Sequence, residues 1–264
     1  MKQINIRAPL KKYQTIMLQA KEQNLNEADM VLRLVKAFED VFGYDPLNEV
    51  SREANMRDKY VDLLLKIDGV PRLIVEVKAP TVPLRDRQIE QAENYASRNN
   101  FQWVLLTNGV EWNLYHLTFG EGIEYERALH VDLGVDDIAK AADMLSILHR
   151  DSLAHDGLDE YWACQVALSP ASISKALFHE EVLMAVRRYV KKDTGRAMDI
   201  EDLAEAIKRM FSQETRELIG PTKIRRAPKI VKREDAPAQP PAIEPPAPER
   251  SAPTEPPKDT PPSP

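Results

Sequence analysis

The stretch Val61–Lys78 constrains the fold of this chain more than any other. It holds two runs rich in Val, Ile and Leu, separated by Asp68 and Gly69. An Asp-Gly pair between such apolar runs is a strong signal for a β-hairpin. We therefore predict two antiparallel strands, about Tyr60–Ile67 and Arg72–Lys78.

Three charged residues interrupt the apolar runs of this hairpin: Asp62, Glu76 and Lys78. Side chains alternate between the two faces of a strand, so Glu76 and Lys78 point to the same face. Asp62 joins them only if the hairpin register places it opposite Glu76. A three-residue loop, Asp68–Val70, gives that register, and the turn residues allow it. A loop of two or four residues would put Asp62 on the other face.

Two facing carboxylates suggest a metal site, because they repel each other unless a cation lies between them. Mg²⁺ is commonly held by one or two carboxylates together with water and substrate phosphate. A lysine beside such a metal can orient or deprotonate an attacking water. The alternative is that the three residues are solvent-facing positions on a half-exposed hairpin. The D-x13-E-x-K spacing occurs often by chance, so the hairpin alone leaves both interpretations open.

Composition narrows the class of protein. The chain has 264 residues and 43% hydrophobic content, enough for one full core and a small second one. Its lone cysteine, Cys164, excludes an internal disulfide and a Cys-rich zinc site. The N terminus lacks the apolar core of a signal peptide, and no apolar run approaches the roughly 18 residues that span a membrane. We expect a soluble, cytoplasmic protein without membrane contact. The net charge of −6 argues mildly against a chain coated in nucleic acid, but a local basic track stays open.

The elements around the hairpin follow from periodicity and caps. Asn26 is a candidate N-cap, with Glu27 suited to the positive end of the helix that follows. Residues 84–99 form a polar helix with Gln91 and Tyr95 on one face. These two side chains either hold a nucleotide backbone or the lysine, or belong to an ordinary surface helix. Further along, Asn108-Gly109 predicts a second hairpin. One more strand and an amphipathic helix then follow up to residue 149.

The C-terminal third changes character. We predict a connection over 150–172, one helix over Ile173–Lys192 and a shorter helix ending at Phe211. The segment Lys223–Arg233 holds six basic residues and no acid, which indicates a solvated linker or a phosphate-contacting arm. From Asp235 to Pro264, 12 of 30 residues are proline, so this tail should be extended and disordered. It would serve as a spacer or bind a proline-reading protein partner.

Five short motifs occur in a fixed order along the first half of the chain. They are N-E-A-D at 26–29, R-D-K-Y-V-D-L-L-L at 57–65, I-V-E-V-K-A-P at 74–80, Q-A-E-N-Y at 91–95 and V-L-L-T-N-G-V-E-W-N-L-Y at 104–115. Together they resemble the N-terminal nuclease domain of type I restriction enzyme R subunits, a branch of the PD-(D/E)XK nuclease superfamily. The resemblance covers about residues 20–150. It implies an α/β fold, with a restriction-endonuclease-like mixed β-sheet flanked by helices.

The resemblance also implies a role for each motif residue. It implies DNA as substrate and Mg²⁺ or Mn²⁺ as cofactor. Lys78 matches the catalytic lysine, and Gln91 and Tyr95 match a pair beside the active site that orients the lysine or the DNA backbone. The implied metal ligands are Glu27, Asp62, Glu76 and the carbonyl of Val77.

The chain also departs from the family. The sequence contains no G-x-x-x-x-G-K-[ST] loop, so we do not expect the ATP-driven helicase motor of a full R subunit, and Val61 stands where the family has a proline before the first acid. We predict a nuclease-like domain over 1–150, a helical appendage over 151–218, and a basic then Pro-rich tail over 219–264. The leading hypothesis is a Mg²⁺-dependent, restriction-type DNA endonuclease without a motor, and two-strand cleavage would favour a homodimer. The alternatives are a non-cleaving DNA- or protein-binding module, and a regulator that copies the nuclease fold to interfere with a restriction system.

Overall fold

A computed structural model of the chain describes residues 4–56, 59–89, 96, 101–120, 122–221 and 224. The described residues belong to one compact unit, Met1–Arg225. Several predicted features lie outside the described residues, namely Gln91, Tyr95, all of the basic segment except Ile224, and the Pro-rich tail.

The centre of the molecule is a six-stranded sheet whose strands lie side by side in sequence order. Neighbouring strands are antiparallel except β3 and β4, which run parallel. The sheet is therefore mixed, as predicted. The strands are β1 (Val50–Met56), β2 (Lys59–Ile67), β3 (Val70–Val77), β4 (Trp103–Thr107), β5 (Glu111–Phe119) and β6 (Ile123–Asp132).

The β2–β3 hairpin has the predicted register at its far end, but the predicted loop is wrong. The loop is two residues long, because Ile67 pairs with Val70 and both loop residues, Asp68 and Gly69, have positive φ of 50° and 78°. This conformation suits the right-handed twist of a tight hairpin. A β-bulge between Leu65 and Lys66 then shifts the register by one residue.

Beyond the bulge, Leu63 pairs with Val75, so the same register places Asp62 opposite Glu76. The bulge thus gives the pairing that we had expected from a longer loop.

In the described part of the chain, α-helices come before the first strand and after the last one. The helix α2 (Glu27–Asp40) has Asn26 as its N-cap, as predicted. The Asn26 side chain accepts a hydrogen bond from the Asp29 amide at 2.8 Å. None of the helices in the described part has the length and apolarity needed to cross a bilayer. The α-helices are α1 (Arg7–Glu22), α2 (Glu27–Asp40), α3 (Ile138–Leu145), α4 (Arg150–Leu153), α5 (Gly157–Ala167), α6 (Pro170–Leu177), α7 (Glu180–Thr194), α8 (Ile200–Arg209) and α9 (Gln213–Ile219).

Each face of the sheet has its own hydrophobic cluster. Helices α1, α2 and α3 cover one face, where Phe38 and Trp112 pack edge to face. On the other face, Ile89 and Ala96 pack on strand residues such as Ile74. β4 is buried along its whole length because it lies between these clusters, as its sequence predicts.

The C-terminal third differs from the sequence prediction in two places. Residues 150–172 are not a simple connection, because α4 and α5 lie there and Leu158 joins the main core. The predicted single helix over Ile173–Lys192 is two helices, which meet at Phe178. That phenylalanine is buried in a small separate cluster with Leu183 and Leu203, and burying it requires the chain to turn there.

Candidate functional site

Glu76 and Lys78 lie together at the carboxyl end of β3. The Glu76 side chain is 5% exposed and that of Lys78 is 17% exposed. The ammonium of Lys78 donates to the Glu76 carboxylate at 2.6 Å. Both project from the strand to the same face, as alternation predicts. A buried glutamate and a half-buried lysine thus form an ion pair at this end of β3.

Asp62 comes to the same place from β2. One of its carboxylate oxygens accepts a hydrogen bond from the backbone amide of Val77 at 2.7 Å. This bond ties the acidic position of β2 to the strand segment between Glu76 and Lys78. The backbone amide of Lys78 in turn donates to the Thr107 carbonyl at 2.9 Å. The strand end that carries the lysine is therefore fixed from both neighbouring strands.

Glu27 is the fourth charged residue of this group. It is the first residue of α2, and its carboxylate lies 4.0 Å from the Lys78 ammonium. Its side chain is 48% exposed, in contrast to the buried Glu76. The structure thus brings Glu27, Asp62, Glu76 and Lys78 together from three elements that are separate in the sequence.

The pKa values of Glu76, Glu27 and Lys78 are all shifted from their ordinary values. Burial and the neighbouring Asp62 raise the pKa of Glu76 to about 7, although the bond to Lys78 opposes this shift. Burial also raises the pKa of Glu27. Burial alone would lower the pKa of Lys78, but its hydrogen bond to Glu76 and the surrounding carboxylates outweigh burial, and the pKa is raised. Lys78 is therefore protonated at neutral pH. Perturbed ionisable groups that cluster in this way are typical of functional sites.

The donor set suits a hard divalent cation. Three carboxylates against one ammonium leave excess negative charge, and carboxylate oxygens are the ligands that Mg²⁺ prefers. As placed, however, no three His, Cys, Asp or Glu side chains among the described residues form a group that could hold a metal ion. Lys78 is the cation that partly neutralises these carboxylates in this arrangement. The donor atoms therefore suit a divalent cation by their chemistry, although their present arrangement is not a ready metal site.

The sequence missed the residues that hold this strand end in place. The sequence predicts Thr107 only as a residue of a buried strand and Asn108 only as part of a hairpin signal. Both are buried, and the Asn108 amide group donates to the Val82 carbonyl at 3.0 Å. No local sequence signal reveals these contacts, because Asn108 and Val82 are 26 positions apart in the sequence. Of the other predicted site residues, Val77 lies at the centre of the cluster, while Gln91 and Tyr95 lie outside the described residues.

Fold and site together define a mixed α/β domain with a carboxylate–lysine cluster at one end of its sheet. Residues 34–128 match the family model of the type I restriction enzyme R protein N terminus. The family identified from the motifs is therefore confirmed over this segment, which contains Asp62, Glu76 and Lys78 but not Glu27. No curated protein and no solved structure gives a significant match to the chain.

Proposed function

We propose that this protein is a Mg²⁺-dependent DNA endonuclease of the restriction type. The observation that carries the proposal is the convergence of three carboxylates and a lysine at one end of the sheet, with Lys78 against Glu76 at 2.6 Å. The family match supports a restriction-type role, and restriction enzymes act on DNA.

The residues divide the work as follows. Asp62, Glu76 and Glu27 would hold the cation, with the carbonyl of Val77 as a further ligand. When bound, the cation supplies Lewis-acid polarisation of the scissile phosphate and a template for in-line attack. Lys78 would orient the attacking water and stabilise developing negative charge.

Two further residues and two partners complete the proposal. Gln91 and Tyr95 would orient Lys78 or the DNA backbone, as the resemblance of the Q-A-E-N-Y motif to the family implies. A homodimer would bring two such sites to the two strands of a duplex, and the Pro-rich tail would recruit a protein partner.

Asp62→Asn, compared with Asp68→Asn, tests this function. Both substitutions remove one carboxylate from the same hairpin, but Asp68 lies on the turn with its side chain 85% exposed. Supercoiled plasmid is incubated with each protein in Mg²⁺, Mn²⁺ or EDTA, and thermal unfolding is followed with and without Mg²⁺. We expect metal-dependent nicking and metal-dependent stabilisation by the parent and Asp68→Asn, and neither by Asp62→Asn. Equal behaviour of the two variants would contradict the proposal.

A second candidate function is a non-cleaving DNA- or protein-binding module built on the nuclease fold, which would include a regulator of a restriction system. Two observations favour it. Lys78 is paired with Glu76. The described residues also hold no ready group of three metal ligands. This module would bind its partner equally well in EDTA, and loss of Lys78 would leave that binding unchanged.

A further inference from the structure

The chain makes a tight turn directly after Lys78. The amide of Val82 donates to the Ala79 carbonyl at 3.0 Å, which closes a four-residue turn over 79–82. Pro80 takes the second position, where its fixed φ favours such a turn, and it is buried. Thr81 lies at the exposed tip. This turn sets the direction in which the chain continues after Lys78.

A side-chain hydrogen bond joins this turn to the start of α2. The Thr81 hydroxyl donates to the Asn24 side-chain oxygen at 3.0 Å. Asn24 lies in the turn between α1 and α2, where it has a left-handed φ of 51°. Asn26 caps α2 two residues later, and Glu27 begins the helix. The bond therefore joins the backbone that carries Lys78 to the backbone that carries Glu27.

A second hydrogen bond holds the other end of the turn. The amide nitrogen of the Asn108 side chain donates to the Val82 carbonyl at 3.0 Å. The oxygen of the same side chain accepts from the backbone amides of Val110 and Glu111, at 3.0 and 2.7 Å. The two ends of this amide thus serve different structures: its oxygen shapes the β4–β5 turn, and its nitrogen holds the turn after Lys78.

Fold stability alone does not account for the bond at Thr81. It lies between exposed side chains, and such bonds contribute little to stability. Glu27 is half-exposed, and the helix that it begins packs mainly on the face of the sheet away from Glu76. Its approach to Lys78 depends on the turn before α2, which Thr81 contacts.

We propose that Thr81 and Asn108 are positioning residues, whose side chains fix the backbone that carries Lys78 relative to the backbone that carries Glu27 and so support metal binding and cleavage at this site. This inference rests on the proposed function, and neither residue need touch DNA or metal. Misplacement of catalytic groups by about 1 Å can reduce a rate on the order of a hundredfold, so two hydrogen bonds at this point have a measurable effect.

The first experiment uses Thr81→Val, which removes only the hydroxyl, and Thr81→Ser, which keeps it. Thr118→Val is the matched control, because Thr118 is exposed near the other end of β5 from the turn that contains Asn108. Single-turnover plasmid cleavage is measured over a Mg²⁺ series, together with the thermal midpoint. For Thr81→Val we expect a fall on the order of tenfold at limiting Mg²⁺, a higher half-saturating Mg²⁺ concentration and an unchanged thermal midpoint. Thr81→Ser and Thr118→Val should cleave as the parent does.

Two more variants identify the bonds that carry the effect. Asn108→Asp keeps the oxygen that accepts from Val110 and Glu111, but it removes the donor to Val82. Asn24→Gly keeps the left-handed conformation and removes the acceptor for Thr81. Because Thr81 and Asn24 share one bond, combining Thr81→Val with Asn24→Gly should cost no more than either change alone.

The outcomes separate this inference from the proposed function. If the parent cleaves and a folded Thr81→Val cleaves equally at every Mg²⁺ concentration, the inference is wrong and the proposed function stands. Additive losses in the double variant would also overturn it. If the parent does not cleave, Mn²⁺ affinity measured by calorimetry decides: a weaker affinity in Thr81→Val supports the positioning role, and an equal affinity or no binding rejects it.

Discussion

Replacing Glu76 by glutamine should stabilise the metal-free protein at pH 8. Burial and Asp62 raise the pKa of Glu76 from 4.5 to about 7. A shift of this size means that the ionised carboxylate costs the folded state about 3 kcal/mol relative to the neutral acid. Glutamine keeps the shape and an accepting oxygen but removes the charge, so Lys78 loses its oppositely charged partner at 2.6 Å. The net gain in the free energy of unfolding should be about 1–3 kcal/mol, with cleavage abolished.

The free energy of unfolding of the parent should depend on pH through Glu76. The folded protein holds the Glu76 proton more tightly than the unfolded chain does. The parent's free energy of unfolding therefore falls as the pH rises from 4.5 to about 7. Glutamine does not titrate. The difference in the free energy of unfolding between Glu76→Gln and the parent should therefore be about 2 kcal/mol smaller at pH 5 than at pH 8.

Urea unfolding in EDTA at pH 5 and pH 8 provides the assay, with Glu49→Gln as the control. Glu49 is also buried, but both of its oxygens accept from the Arg150 guanidinium, at 2.8 and 3.1 Å. Removing this structural charge should lower stability by about 1–3 kcal/mol at both pH values. If Glu76→Gln is instead less stable than the parent at pH 8, Glu76 is a structural ion-pair partner like Glu49 and our reasoning is refuted.

Two further predictions concern the fold. Burial lowers the pKa of His116 despite two nearby carboxylates, so the unfolded chain binds its proton more readily and stability should fall as the pH drops below 6.5. His116→Phe should reduce this loss, and comparing urea midpoints at pH 5.5 and 7.5 checks it. Gly109→Ala should cost about 2–3 kcal/mol, because φ is +84° and the added methyl would collide with buried methionines of α1 and α2. Gly195→Ala, also at positive φ but in open space, should cost only about 1 kcal/mol, and equal costs by urea unfolding would contradict the packing at Gly109.

Much of the sheet could be predicted from local sequence signals. The two hairpins follow from Asp68-Gly69 and Asn108-Gly109, and the buried pattern of β4 follows from its unbroken apolar run. The hairpin loop and its bulge could not be predicted separately, because a two-residue turn with a bulge and a three-residue loop give the same register at Asp62. In the C-terminal third, the helix break at Phe178 depends on which side chains pack together, and periodicity alone does not reveal this.

The charged residues of the candidate site could be predicted from the sequence, but the contacts that hold them in place could not. The hairpin register and the resemblance of the ordered motifs to a known family single out Asp62, Glu76 and Lys78, so these residues could be named from the sequence; their role stays a prediction. The contacts around them could not, because the bond from Asn108 to Val82 joins residues 26 positions apart. Which partners such side chains find is decided by the packing of strands and turns rather than by the residues on either side.

Cleavage and binding of one supercoiled plasmid, measured together for the parent and Lys78→Ala, decide whether this domain is a nuclease. The site geometry predicts that the parent nicks the plasmid in Mg²⁺ or Mn²⁺ and not in EDTA. Lys78→Ala should bind the plasmid as the parent does but fail to cut it. If neither protein cuts modified or unmodified DNA, and both bind it equally in EDTA, the nuclease assignment is wrong and the domain is a binding module.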